Sequence, residues 1–322
     1  LSSSSAVPAK PSLSSNVSAS CTWAQPLIEA QSRAQSSRSA LERLRVYKEI
    51  DRLRPQIASS AFDAYLRGGL SEEFSKNCLS MIDDREDFLQ LIDHAFLDRS
   101  LKWLQSSKVP RLQALARAAG TGFGFRLTGD DFSPPPTDFK AGFHRESKAI
   151  FMDITRTEPG EWFVILSHEL VHRLDSKIPG AIAEYSKVDI AMRLIAKAQT
   201  TTRPVDLSPV EREDFKNWIH AGMERGLLAE ARAWAITLLI YEDGLRAGLW
   251  QRIDWLDEVL VDRRAEESWE RYALRLMTTR SHQPREGAFA YTLTLNLLEE
   301  VKREVLEGKR PFEFGELAEF LK

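Results

Sequence analysis

The sequence predicts an α+β fold that is mostly helical, with a small sheet set between two helical portions. Three observations predict it. Apolar residues recur at three- and four-residue spacing from about Trp23 to Gly120 and again toward the C-terminus. Between these portions Gly and Pro cluster, and the period shortens to that of strands. No internal repeat is visible that would point to a solenoid.

The first twenty residues, LSSSSAVPAKPSLSSNVSAS, are rich in Ser and poor in large apolar side chains. Such a composition cannot bury enough surface to fold, so residues 1–20 read as a disordered lead. Read as the remainder of a cleaved signal peptide, this lead points to a secreted or periplasmic protein. A boundary within a longer chain explains the missing Met equally well, and a cytoplasmic location stays open.

Residues 21–119 form an N-terminal helical region of three to five helices. In SALERLRVYKEIDRLRPQI, Leu41, Leu44, Tyr47, Ile50 and Leu53 share a face. Ser39 stands as N-cap with Glu42 three residues on, a capping box. DREDFLQLIDHAFLDRSLKWLQ continues the period, capped by Asp83 or Asp84.

Residues 120–245 form the core. FGFRLTG and AIFMDI read as strands, and AGFHRESKAIFMDI as a hairpin turning near Glu146 to Lys148. TEPGEWFVILSHELVHRLDSKIPG is a helix, with Thr157 as N-cap, Pro159 in the first turn and Pro179-Gly180 at the end. QTTTRPVDLSPVERED is a charged connection. Residues 246–322 form a C-terminal helical region.

The bulk numbers exclude several classes. The 322 residues can bury a real core. A net charge of −3 offers no basic excess to neutralise phosphates, so no nucleic-acid partner is expected. The run WAITLLIY (234–241) is far short of the ~18–20 residues of a membrane span. Cys21 and Cys78 form no C-x-x-C pair; they make one bridge in an exported protein or stand as buried thiols. No G-x-S-x-G, Walker A or G-x-G-x-x-G fingerprint stands in the right context. Nothing in the sequence sets the oligomeric state.

The informative stretch is VILSHELVHRLD, residues 164–175. At 100° per residue, His168 and His172 project from one face, one turn apart. That is the separation two imidazoles need to share a tetrahedral ion. Glu169 is rotated away; it can reach a water held there and act as general base. Leu166, Leu170 and Leu174 lie on the opposite face and anchor the helix.

This H-E-x-x-H segment resembles the zincin metallopeptidases, tightly over SHELVHRL and loosely over AIFMDI. The resemblance implies a Zn²⁺ cofactor and a peptide or protein substrate. It also implies that residues 149–154 form a sheet edge to which an extended peptide adds by β-augmentation. A plain core strand fits the alternation Ile150, Met152, Ile154 as well.

Catalytic zinc needs a third protein ligand. The metzincin extension is excluded, since Asp175 stands where its glycine belongs and Ile178 where its last histidine belongs. The gluzincin solution is a glutamate from a later helix. In GLLAEARAWAITLLIYEDG, Glu230 shares a face with Met223, Leu227, Ala233, Trp234 and Thr237. A carboxylate on an apolar face needs a cation. Ala229, Ala231 and Ala233 allow close approach to the catalytic helix. Arg225 and Arg232 fall on another side, where solvent is expected. His220, Glu184 and Glu224 are rival ligands.

An amide hydrolase also needs an oxyanion donor. Tyr241, about three turns beyond Glu230, is the candidate, with Tyr185, His220 and Arg232 behind it. Asp175 either supports a ligand histidine or is a helix-end charge.

The expected function is a zinc-dependent metallopeptidase. Zinc is held by His168, His172 and Glu230, with Glu169 as base. The alternatives are a zincin-scaffold binding or regulatory protein with structural zinc, and a zinc amidase acting on a non-protein amide such as a cell-wall cross-link.

Overall fold

The computed structural model describes residues 23–68, 78–129, 140–175, 207–279 and 289–322. The chain is α+β and mostly helical, with one small three-stranded mixed sheet. It divides into two compact units, Leu1–Arg99 with Thr128–Pro134, and Ser100–Leu127 with Pro135–Lys322.

In the first unit, α1 (Gln25–Ser36) packs against α2 (Ala40–Leu66). The third helix, α3 (Arg85–Gln105), begins directly after Asp84. Ser39 caps α2 by accepting the Glu42 amide at 3.4 Å. The Glu42 carboxylate takes the Ser37 hydroxyl at 2.8 Å, so only half of the expected capping box forms. The helical period of α2 holds, but Leu41, Leu44 and Tyr47 are exposed. The buried arc runs through Val46, Ile50, Ile57 and Ala61. The first half of α2 carries two overlapping apolar arcs, and only packing chooses between them. Phe62 meets Phe96 edge-on at 5.0 Å, an arrangement favoured by the ring quadrupoles. Cys78 is disulfide-bonded, and Cys21 lies outside the described residues.

The second unit opens with the end of α3 and with α4 (Pro110–Ala119). The strands follow: β1 (Gly124–Thr128), β2 (Ala141–His144) and β3 (Ala149–Asp153). β2 and β3 are the expected hairpin, pairing Ala141 with Met152 through to His144 with Ala149. Lys148 closes the turn at φ +50°, a left-handed conformation that is uncommon outside glycine. The strand order is β1-β3-β2, so β3 is central. The expectation of an edge at residues 149–154 is therefore corrected. β3 pairs with β1 on one side and β2 on the other, and among the described residues β2 is the outer strand of the hairpin.

The helix α5 (Trp162–Asp175) starts later than the sequence suggests. Asp153 Oδ1 accepts the amide and hydroxyl of Thr155, a tight local turn. The Thr157 hydroxyl is spent on the Lys140 carbonyl at 3.3 Å instead of capping. The Trp162 indole N–H then donates to Ser100 at 2.8 Å, and Phe163 stacks on Trp103 at 3.9 Å. Leu166 and Leu170 are fully buried, as their face requires. The expected end at Pro179-Gly180 lies outside the described residues.

Four helices follow: α6 (Pro209–Arg225), α7 (Leu227–Arg246), α8 (Asp254–Val261) and α9 (Trp269–Thr279). α10 (Phe289–Leu306) and a 3₁₀ helix (Gly315–Leu321) complete the chain. α6 begins inside the segment read as a connection. Ser208 and Glu211 form a full capping box there. The core of this unit centres on α7, which packs on both α5 and α9. Ala229, Ala231 and Ala233 are buried, leaving little side chain between α7 and its neighbours.

Gly244 lies within α7 although glycine weakens helices, and its reason is spatial. A Cβ there would sit 2.0 Å from the Trp250 indole, whose N–H donates to the Tyr241 carbonyl. Gly244→Ala should therefore cost about 1–3 kcal/mol despite the better helix propensity of Ala. Denaturant unfolding measures it; a variant as stable as the parent would show that the indole is not fixed there.

Candidate metal centre

Two helices supply the site. α5 carries His168, Glu169 and His172, and α7 carries Glu230. The spacing of four residues turns both imidazoles to one side of α5. Their Nε2 atoms stand 3.0 Å apart. Glu230 bridges them, with Oε2 at 3.3 Å from His168 Nε2 and Oε1 at 3.1 Å from His172 Nε2. These three residues are a group that could hold a metal ion. Ligands at about 2.0–2.1 Å from a tetrahedral ion stand roughly 3.3 Å apart, and one atom from each of the three residues lies within 4.8 Å of the others, close to that spacing. The donor set, two imidazoles and a carboxylate, suits the same class of ion. The structure thus brings together all three expected ligands.

The surroundings orient these donors. A histidine ligating through Nε2 keeps its proton on Nδ1. On His168 that atom faces Thr237 Oγ1 at 3.3 Å. Thr237 lies two turns beyond Glu230, on the same face of α7, and is buried. Trp234, one turn beyond Glu230, lays its ring 4.6 Å from the His168 ring. Its other side meets Trp255 edge-on at 5.8 Å.

The two carboxylates are driven in opposite directions. Burial raises the pKa of Glu169, and the histidines only partly offset it. Burial would raise Glu230 too, but its hydrogen bonds to both imidazoles outweigh this and hold it well below the usual carboxylate range. Burial would lower His172; the Glu230 hydrogen bond and carboxylate charges prevail and raise it. The Phe143 amide of β2 lies near enough to the Glu169 carboxylate to lower its pKa, too little to offset burial. Glu169 Oε2 is buried and has no hydrogen-bond partner among the described residues. Such an atom is costly unless something polar meets it. A water or ion in the cluster is what would meet it, so the residues fit a metal centre.

Other expected residues lie elsewhere. The Tyr241 hydroxyl accepts the Ile253 amide at 2.7 Å and donates to Asp257 at 3.0 Å. Burial, first, and then Asp257 push its pKa up to about 12. The structure places it at the α7–α8 junction rather than among the donors. His220 Nε2 meets the Pro311 carbonyl at 3.0 Å, and Glu224 pairs with Arg232 at 3.0 Å. Neither rival joins the cluster; Glu184 and Tyr185 lie outside the described residues. Arg232 is corrected from a solvent-facing to a buried side chain, because Asp175 and Glu224 both hold it. Sequence reasoning missed Phe143, since a backbone amide carries no residue-type signal.

Comparison with protein-family models, curated proteins and solved structures finds no match to this chain. Among the described residues no helix is long and apolar enough to cross a membrane.

A proton held by the raised His172 competes with any cation for Nε2. Divalent-metal affinity should therefore rise with pH through and above 6.5, the ordinary histidine value. Calorimetry in buffers of different ionisation enthalpy should show proton release near pH 7. A pH-independent affinity would mean that His172 is not a ligand. If these donors hold a divalent metal, Glu230→Ala should bind it far more weakly than the parent; unchanged stoichiometry and affinity would exclude Glu230.

Proposed function

We propose that this chain is a zinc-dependent hydrolase of peptide bonds, with Zn²⁺ held by His168, His172 and Glu230. The observation that carries the reading is Glu169 Oε2, a buried carboxylate oxygen without a partner beside three converging donors. Structural zinc sites use four protein ligands and are closed. Here the described residues supply three, and the Glu230 side chain is 45% exposed. That favours a catalytic site over a structural one.

When bound, zinc would supply Lewis acidity and lower the pKa of a water in its open position. Glu169 takes a proton from the attacking water and passes it to the leaving nitrogen. Its raised pKa suits that task, because a general base works best with a pKa nearer the working pH.

The hairpin supplies a place for an extended substrate. The Asp153 amide donates to the Lys140 carbonyl at 2.8 Å. Antiparallel pairs alternate, so Gly142 and His144 also bond toward β3, whereas Ala141 and Phe143 turn outward. The influence of the Phe143 amide on the Glu169 pKa agrees with this. A peptide pairing with the Ala141 groups and the Phe143 carbonyl would lie beside the base. This moves the expected substrate edge from β3 to β2 and favours a peptide over a non-protein amide. Export is part of the reading, supported by the disulfide at Cys78, since disulfides persist in oxidising compartments. The intact-chain mass before and after reduction checks that bond.

Glu169→Gln should retain one zinc per chain and lose peptide hydrolysis by at least about 100-fold. Metal analysis paired with a peptide-library digest measures both. Parent-like activity in this variant would overturn the mechanism, and loss of zinc would recast Glu169 as part of the binding site.

A further inference from the structure

Beneath the metal cluster lies a second group of charges. Asp175 is one turn beyond His172 on α5, and Arg232 is two residues beyond Glu230 on α7. They form a fork, with Arg232 Nε at 2.7 Å from Asp175 Oδ1 and Nη2 at 3.3 Å from Oδ2. Both are buried, Asp175 to 1% exposure. Arg145, in the β2–β3 turn, reaches Asp175 Oδ2 at 3.5 Å. The remaining Arg232 donor goes to Glu224 at 3.0 Å and to the Glu313 carbonyl at 3.2 Å.

We propose that Asp175 and Arg232 are the positioning pair of the metal centre, fixing α5 against α7 so that Glu230 meets the two histidines. The proposal rests on the metal reading above. The two histidines are locked to each other by one helix. Glu230 is not; its place depends wholly on how α7 sits on α5. Elsewhere on that contact Val164 packs with Leu238 and Tyr241, and His168 lies against the Trp234 ring, contacts that are less directional than a paired hydrogen bond. A planar guanidinium on a carboxylate prefers one register, because both of its bonds must align together. For stability alone, an apolar pair of similar volume would serve as well or better than a buried ion pair. What the fork adds is register, one turn from His172 and one half-turn from Glu230.

Arg145 extends the same hold to the hairpin. One carboxylate, Asp175, thereby ties together α5, α7 and the β2–β3 turn.

The test is the zinc dissociation constant of the full chain, read by competition with a chromophoric chelator. Asp175→Asn and Arg232→Lys should each weaken zinc binding by roughly 10–100-fold with unchanged far-UV circular dichroism. Arg232→Lys keeps the buried charge and removes only the fork. It decides the matter should Asp175→Asn not fold. The double variant should be little weaker than the weaker single variant, as for two residues acting through one bond. The visible absorption of the cobalt-loaded variants should shift, which a merely structural role would not produce. Glu224→Gln, which touches Arg232 but not α5, should bind zinc close to the parent. Folded Arg232→Lys binding zinc as tightly as the parent would overturn the pair's role alone. A parent chain that binds no zinc would overturn the metal reading and the pair's role with it.

Discussion

The Glu230 carboxylate bridging two imidazoles is the interaction on which the rest of this unit depends. It joins residues 58 positions apart, since Glu230 and His172 differ by 230 − 172. A carboxylate in that position is costly without positive charge opposite it. The fold answers with two nitrogens from one helix turn, and the three donors converge closely enough that they could hold a metal ion. The alanines of α7, the burial of α5 by Trp162, Leu166 and Leu170, and the Asp175–Arg232 fork all serve that approach.

Two glutamates face the same histidines, and their surroundings drive their pKa values in opposite directions. Glu230 shares both imidazoles and stays ionised. Glu169 is buried, and burial outweighs the nearby histidines and pushes it the other way. Carboxyl groups whose pKa values are driven apart in one site mark a division between ligand and base. Sequence order alone does not make that division; the burial of Glu169 and the hydrogen bonds of Glu230 to both imidazoles do.

Much of this was legible in the residues because it is local. His168, Glu169 and His172 needed only the helical period, and the hairpin needed only alternation and a polar turn. Glu230 was legible through a contradiction, a carboxylate on an apolar face. What was not legible depends on distant segments. That β3 is central follows from β1 returning beside it, and short strands carry no mark of their neighbours. Arg232 looked solvent-facing because helix periodicity does not show that Asp175 waits on another helix. Tyr241 shares an approximate face with Glu230, yet eleven residues is about 16 Å along a helix, and its hydroxyl serves the start of α8 instead. The α2 arc was misplaced for the same reason, since two arcs were apolar and packing chose one.

The central claim is that His168, His172 and Glu230 ligate one zinc ion. Anomalous diffraction at the zinc edge from crystals of the zinc-loaded chain tests it most directly. The account predicts one strong peak about 2.0–2.2 Å from both Nε2 atoms and a Glu230 oxygen, with no fourth protein ligand. A zinc peak elsewhere, or one at this site with Glu230 turned away or a fourth side chain completing the shell, would contradict it.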